Sequence, residues 1–352
     1  MPLTRLALIT LALCLCGGLG GWLASYTLLP LPWLLGSLVA CAIPAIAIPR
    51  LLPPDYRFPM TFRIIFIAII GLVIGAQVSP ELLSQPTALA ISMGAIVAFV
   101  PIAFAVNYLI FRRIGGYDHA TAYYSSAPGG LIEAITMGEE AGADIRRLVT
   151  QQFLRITGVI ALVPLGLSLW EGHPVGSAAG MGLSAPDMPI NWPLLIAAQI
   201  AGITLGKLLR LPAWQLTGAL LASAALALLG YPLSIPAWLM QLAQVIVGTS
   251  LGMRFAGLSR DMLIRGLGLS ILSVSAMLIL GGVIALLIGP ATGQDFKVLL
   301  ITFAPGGVNE MALVALSLNA NPAFVTLHHV FRITVTVLAL GVMKRTLTRP
   351  KG

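Results

Sequence analysis

Charge is scarce in this sequence. Asp, Glu, Lys and Arg make up 9% of 352 residues, with 12 acidic residues against 20 basic ones. A water-exposed globular surface typically draws on a chain about 25% charged, so no soluble domain has room here. Cysteine is scarcer still. Cys14, Cys16 and Cys41 all fall in apolar runs, where a thiol behaves as a small hydrophobe and implies neither a disulfide framework nor a metal site. Also missing is G-x-x-x-x-G-K-[ST], which leaves no ATP-driven pump, and no protease signature points to an intramembrane enzyme. The net charge of +8 comes from small basic groups between apolar runs, without a basic amphipathic domain to grip phosphates. A cytoplasmic membrane surface explains those groups better than nucleic acid does.

What is abundant is hydrophobicity. Apolar residues make up 58% of the chain and the mean hydropathy is +0.97. Runs able to cover about 30 Å of hydrocarbon recur from end to end, which predicts an all-α polytopic membrane protein. Expected spans lie near 6–28, 31–49, 61–78, 87–111 and 147–169, then 192–209, 213–230, 236–253, 266–288 and 322–343. The first run, behind Arg5, continues past Trp22 without a convincing cleavage site and is taken as a span rather than a signal peptide.

The chain also repeats itself. An offset of 177 aligns Gly71 to Ile156 with Gly248 to Ile333 without a gap. It matches Gly71 and Gly75 with Gly248 and Gly252, Asp118 with Asp295, and Arg155 with Arg332. Most conspicuous is Ala-Pro-Gly-Gly-x-x-Glu, which occurs as "APGGLIE" at 127–133 and "APGGVNE" at 304–310. A first membrane repeat over 1–170, an extracytoplasmic linker over 171–190 and a second repeat over 191–352 follow.

Basic residues set the orientation, because Lys and Arg in short loops stay cytoplasmic. With the amino terminus inside and both Pro-Gly-Gly segments re-entrant, all of the 20 basic residues except Lys297, Arg155 and Arg332 face the cytoplasm or its interface. If the segments crossed instead, Arg146 and Arg147 would move outside. Five spans per half is an odd number, so the expected architecture is two inverted repeats of about five transmembrane helices, each with a re-entrant or broken-helix Pro-Gly-Gly segment. Both termini would be cytoplasmic.

Inversion would bring Pro128, Gly129 and Gly130 to the midplane opposite Pro305, Gly306 and Gly307. Proline ends the preceding helix and the restarting helix offers free N–H groups, a suitable anion or dipole site. Glu133 and Glu310 then sit in first helical turns. They are either helix caps or carboxylates for a coupling proton or sodium ion. Ile132 faces Asn309 across the alignment, so the two sites need not be equivalent. Arg155 and Arg332 lie about ten residues into their spans, roughly 15 Å deep, where a guanidinium needs a partner or a wet cavity. They either pair with the glutamates or bind a substrate carboxylate. His328 and His329 occupy the positions of Gln151 and Gln152; an interfacial hydrogen-bond role is favoured over proton shuttling. Asn107 and Gln199 read as interhelical glue, Gln77, Ser125, Ser126 and Thr302 as cavity lining, and Asp118, Asp295 and His119 as solvated loop charges.

The doubled Ala-Pro-Gly-Gly-x-x-Glu, each followed by a buried Arg, together with "LPWLLGSLVA" at 31–40, resembles the AbrB family of bacterial inner-membrane proteins over about residues 10–345. Members carry inherited labels ranging from ammonia monooxygenase to regulator of gene expression. The first needs a copper or similar redox site, and His119, His173, His328 and His329 form no cluster for one. The second implies an indirect effect. The expected function is therefore an ion-coupled secondary transporter of a small polar solute, an organic anion or carboxylate, with no cofactor. A passive channel, a membrane sensor and an indirect regulator are the alternatives, and a homo-oligomer is compatible with each.

Overall fold

Apolar runs bounded by proline and glycine give helices that stop where those residues fall. In the computed structural model, which describes residues 2–48, 52–53, 56–78, 86–175, 189–258, 260–318 and 320–347, no strand occurs among the described residues. The helices are α1 (Leu3–Ser25), α2 (Pro32–Ala47), α3 (Met60–Ala76), α4 (Pro86–Leu109), α5 (His119–Ser125), α6 (Leu131–Glu140) and α7 (Ile145–Glu171). The second half supplies α8 (Trp192–Leu208), α9 (Trp214–Leu228), α10 (Ala237–Gly252), α11 (Arg260–Thr292), α12 (Phe296–Phe303), α13 (Val308–Ser317) and α14 (Pro322–Leu347). A π-helical turn, Ile110–Ile114, extends α4. Of the expected linker, 176–188 lie outside the described residues.

Ten helices stand at the ten expected spans, but their lengths fall in two classes. Five, namely α1, α4 with its π turn, α7, α11 and Pro322–Gly341 of α14, are long and apolar enough to cross a membrane. The other five, α2, α3, α8, α9 and α10, have 15 to 17 residues, about 23 to 26 Å at 1.5 Å per residue. Proline bounds four of them at the N-terminal end. Pro59 and Pro236 cap α3 and α10, and Pro32 and Pro193 stand in the first turns of α2 and α8. The apolar run continues past each helix end, which is why hydropathy overstated their length.

The chain divides into two compact units, each drawn from both halves of the sequence. The first takes Met1–Leu82, Ala161–Leu258 and Ala312–Ala323; the second takes Leu83–Ile160, Ser259–Met311 and Phe324–Gly352. In the first unit the pairs α1–α2 and α8–α9 match, while α3 packs on α9 and α10 packs on α2. The exchange is reciprocal down to single atoms. A Cβ at Gly71 or Gly75 would overlap the carbonyl of Leu216 or Leu220; one at Gly248 or Gly252 would overlap that of Leu34 or Leu38. Leu34 and Leu216, like Leu38 and Leu220, are related by an offset of 182, so the repeat reaches helices that the offset of 177 does not align. Leu31 and Ala213, also 182 apart, both cap their helices in left-handed conformation at φ 45° and 48°. A strained backbone angle on a non-glycine residue, kept in both halves, reflects a shared constraint on how the helix enters.

The second unit holds the Pro-Gly-Gly segments. Its core joins α4 and α11 through Phe99, Val100, Ala103 and Met277, with Phe303 of α12 set 5.7 Å from Phe99 and Tyr123 of α5 stacked 5.4 Å from Phe104. Ser273 donates to Asn107 Oδ1 at 2.7 Å within this packing, and Gln199 in the first unit donates to the Ile65 carbonyl at 2.9 Å, so both amides tie helices together. Asp118 and Asp295 are exposed, as solvated charges would be, and they also cap helices. Their carboxylates accept from the backbone N–H of Thr121 at 2.9 Å and Lys297 at 2.7 Å, satisfying donors that the starts of α5 and α12 leave free.

Close helix approach at Gly75 predicts that Gly75→Val destabilises the protein by about 1 to 3 kcal/mol, read as a lowered unfolding temperature in detergent. Gly94→Ala, with no neighbour within 4 Å of its Cβ, is expected to leave that temperature unchanged or slightly raised.

Candidate functional site

Each Pro-Gly-Gly segment is a pair of short helices around a chain break. In the first, α5 ends at Ser125 and α6 restarts at Leu131 behind Gly130, whose φ of 60° is left-handed. In the second, α12 ends at Phe303 and α13 restarts at Val308. Pro128, Gly129, Gly130, Pro305 and Gly306 are buried, and Gly307 and Asn309 are half-buried. A break among apolar side chains leaves terminal carbonyls that water cannot reach, so another group must satisfy them.

The long helices supply it, by the same positions in both halves. Gln152 of α7 donates to the Tyr124 carbonyl at 3.1 Å and to that of Ser125 at 3.3 Å, while His329 of α14 holds the Ile301 carbonyl at 2.9 Å. Three residues on, Arg155 donates to the Ala127 carbonyl and Arg332 to that of Ala304. Arg332 also reaches the Gly306 carbonyl at 3.0 Å and His329 Nδ1 at 3.2 Å. Both arginines therefore face the negative ends of α5 and α12, where a guanidinium is favoured. Among the described residues Arg155 forms no ion pair with Glu133.

Each break also packs against the long helix of the other half. A methyl at Gly129 would touch Thr336 and Ile333 of α14; one at Gly306 would press on Val159 of α7. Thr336 and Val159 are themselves 177 apart. So α7 and α14 each run between both breaks, bringing the two motifs and the two arginines to one place within the second unit. Arg155 is 6% exposed and Arg332 1% exposed. The Nε atoms of both have no hydrogen-bond partner among the described residues, nor do Ser125 Oγ and Thr336 Oγ1. Thr336 escaped the sequence analysis; its one signal was a position four residues beyond Arg332, on the same helix face.

The two glutamates part company. Glu310 is 3% exposed, and a Cβ at Gly307 would overlap its carboxylate. Glu133 is exposed, with its carboxylate 3.4 Å from a Cβ built at Gly130. The expected pair of buried acids is thus a single one. Composition gives the reason: α6, "LIEAITMGEE", carries three glutamates and buries just Ala134 and Gly138, whereas α13, "VNEMALVALS", carries one and is buried along Met311–Leu316. In both motifs the carboxylate lies close to the glycine three residues earlier.

His328 and His329 point to different partners, as neighbours on a helix must. His328 Nδ1 faces the Phe324 carbonyl at 2.7 Å and its Nε2 faces the Ser92 hydroxyl at 2.8 Å. Its counterpart Gln151 donates to Tyr117 Oη at 2.9 Å and to the Gly266 carbonyl at 3.3 Å. Of the smaller candidates, Ser126 and Thr302 donate to the carbonyls of Tyr123 and Val298, and Gln77 closes α3 in the first unit. Ser126 and Thr302 are thus satisfied by their own helices.

A helical membrane-type protein, with two broken helix pairs sealed by buried arginines, is the class these features define. The family model described as "Transition state regulatory protein AbrB" matches residues 33–348, and the chain belongs to that family. It is similar to "Uncharacterized protein YhjN" of Bacillus subtilis (strain 168), with 26% identity covering 95% of this chain and 91% of that protein. It is also similar to "Putative regulator AbrB" of Escherichia coli (strain K12), with 26% identity covering 73% of this chain and 74% of that protein.

Arg332→Met would strip a donor from two carbonyls and from His329, whereas Arg155→Met strips one from Ala127. Each buried acceptor left without a donor costs about 1 to 3 kcal/mol. Arg332→Met is therefore expected to lower the unfolding temperature more than Arg155→Met does, and equal losses would contradict the assigned bonds.

Proposed function

We propose that this chain is an ion-coupled secondary transporter of a small polar solute, an organic anion such as a carboxylate, bound where both Pro-Gly-Gly breaks meet α7 and α14. One observation carries the reading. Two buried guanidinium groups of like charge seal breaks that pack on the same two helices, each with an Nε donor lacking a partner among the described residues. An anion between them offsets their repulsion and takes up those donors, a task suited to the guanidinium fork. The N-terminal turns of α6 and α13 add N–H groups of matching polarity.

The reciprocal packing of the two halves supports a two-fold relation between them. Combined with an odd number of spans per half, that relation inverts the repeats, and the breaks enter from opposite leaflets of the bacterial inner membrane with both termini cytoplasmic. A proton or sodium gradient supplies the driving force, and no cofactor or nucleic acid takes part. Glu310, buried in the first turn of α13, belongs to the site. Glu133 serves as a cap. Labelling with a membrane-impermeant maleimide tests the inversion: Lys297→Cys is expected to react from outside and Arg146→Cys from the cytoplasm. Reaction of both from one side would remove it.

Vesicle uptake of labelled carboxylates under an imposed proton or sodium gradient tests the transport itself. Arg155→Lys and Arg332→Lys, which keep charge but lose the fork, are expected to cut uptake at least tenfold while the protein still inserts. Glu310→Gln is expected to reduce uptake far more than Glu133→Gln does. Gradient-independent flux would instead mark a passive channel. The name of the Escherichia coli relative favours a second reading, an indirect effect on gene expression. A transporter that changes a metabolite level would produce it, and transcriptional changes that persist in the arginine variants would separate the two.

A further inference from the structure

The two halves seal their breaks with different chemistry at one position, and the difference is a titratable ring. Gln152 and His329 hold equivalent carbonyls, those of Tyr124 and Ile301. Glutamine shows that the tie itself needs no ionisable group. What histidine adds is a second ring nitrogen turned toward its arginine: His329 Nδ1 lies 3.2 Å from Arg332 Nη2. A carbonyl can only accept and a guanidinium can only donate. The ring is therefore neutral, with its proton on Nε2 and its lone pair on Nδ1 held by Arg332.

Protonating that ring would put an N–H against an N–H and a third positive charge beside Arg332 and Arg155. The groups around His329 are Arg332 and His328 on its own helix, the Ile301 carbonyl from α12, Arg155 of α7 beyond Arg332, and Glu310 of α13, which begins next to the Gly306 carbonyl that Arg332 binds. An anion that draws Arg332 toward itself changes this balance. It offsets the arginine charges and releases the Nδ1 lone pair in one step.

We propose that His329 couples protons to transport: anion binding at the arginine pair lets the ring take a proton from solvent at Nδ1, and loss of that proton expels the anion. The proposal rests on the anion-site reading above. A new Nδ1–H bond forms as the Arg332 to His329 hydrogen bond breaks. The proton that arrives with the anion offsets one of its negative charges. Linkage makes the effect mutual: the anion favours the protonated ring as much as the protonated ring favours the anion.

Succinate is a suitable probe, with one carboxylate for each fork. Its binding to the purified full-length protein in nanodiscs is measured by calorimetry between about pH 6.5 and 8.5, where the probe stays largely ionised, in two buffers of different ionisation enthalpy. Proton uptake on binding is expected, with affinity tightening toward about tenfold per unit fall in pH. His329→Gln, copying Gln152, is expected to abolish the uptake and flatten that pH dependence. Binding without proton uptake by the wild type overturns this proposal and leaves the anion site standing. Failure of succinate to bind overturns the carboxylate site, and this proposal with it. Uptake that survives His329→Gln but disappears in Glu310→Gln moves the proton to Glu310 and likewise overturns it. Should His329→Gln misfold, the 15N shift of His329 Nδ1 in labelled wild-type protein decides: movement toward the protonated position on adding succinate supports the assignment, and a static shift overturns it.

Discussion

A helix broken inside an apolar core survives only if something donates to the carbonyls that the break exposes. Arg155 and Arg332 do this for Ala127 and Ala304. An unsatisfied carbonyl in a low-dielectric setting costs about 1 to 3 kcal/mol, and burying a guanidinium without partners costs more. Each liability cancels the other. Because a guanidinium has five donors and a backbone carbonyl occupies few of them, the groups that hold the breaks closed also retain capacity to bind. Structural sealing by itself accounts for the position of both side chains.

Duplication is preserved unevenly, and the unevenness is informative. The first unit keeps its repeat in detail: left-handed caps at Leu31 and Ala213, and glycines pressed on the carbonyls of Leu216 and Leu34. Close backbone packing allows little drift, since any side chain at those glycines collides. In the second unit the breaks and arginines persist but their surroundings diverge. Gln152 becomes His329, Val159 becomes Thr336, and an exposed Glu133 becomes a buried Glu310. His329 and Glu310 lie at the second break while Thr336 packs against the first, so the divergence is shared between the two breaks.

Membership of the AbrB family rests on the family model, and the word "regulator" belongs to one relative's name. Arg155 and Arg332, the arginines that seal the breaks, are buried. A membrane protein that alters what is in the cell can change transcription at a distance.

The sequence alone determined the helical class, the approximate places of the helices and the doubled break. Hydropathy and the constraints of proline and glycine act over a few residues and can be read locally. It also located both arginines, because a charge ten residues into an apolar run has no cheap alternative. Tertiary structure decided what those charges touch: the Ala127, Ala304 and Gly306 carbonyls, residues 26 to 28 positions away. It decided that Glu310 is buried while Glu133 is not, and that Asp118 and Asp295 cap helices. It also joined α2 with α10 and α3 with α9, which extended the repeat to the first helices. Partners of that kind depend on how distant segments meet, and no local pattern of residues records the meeting.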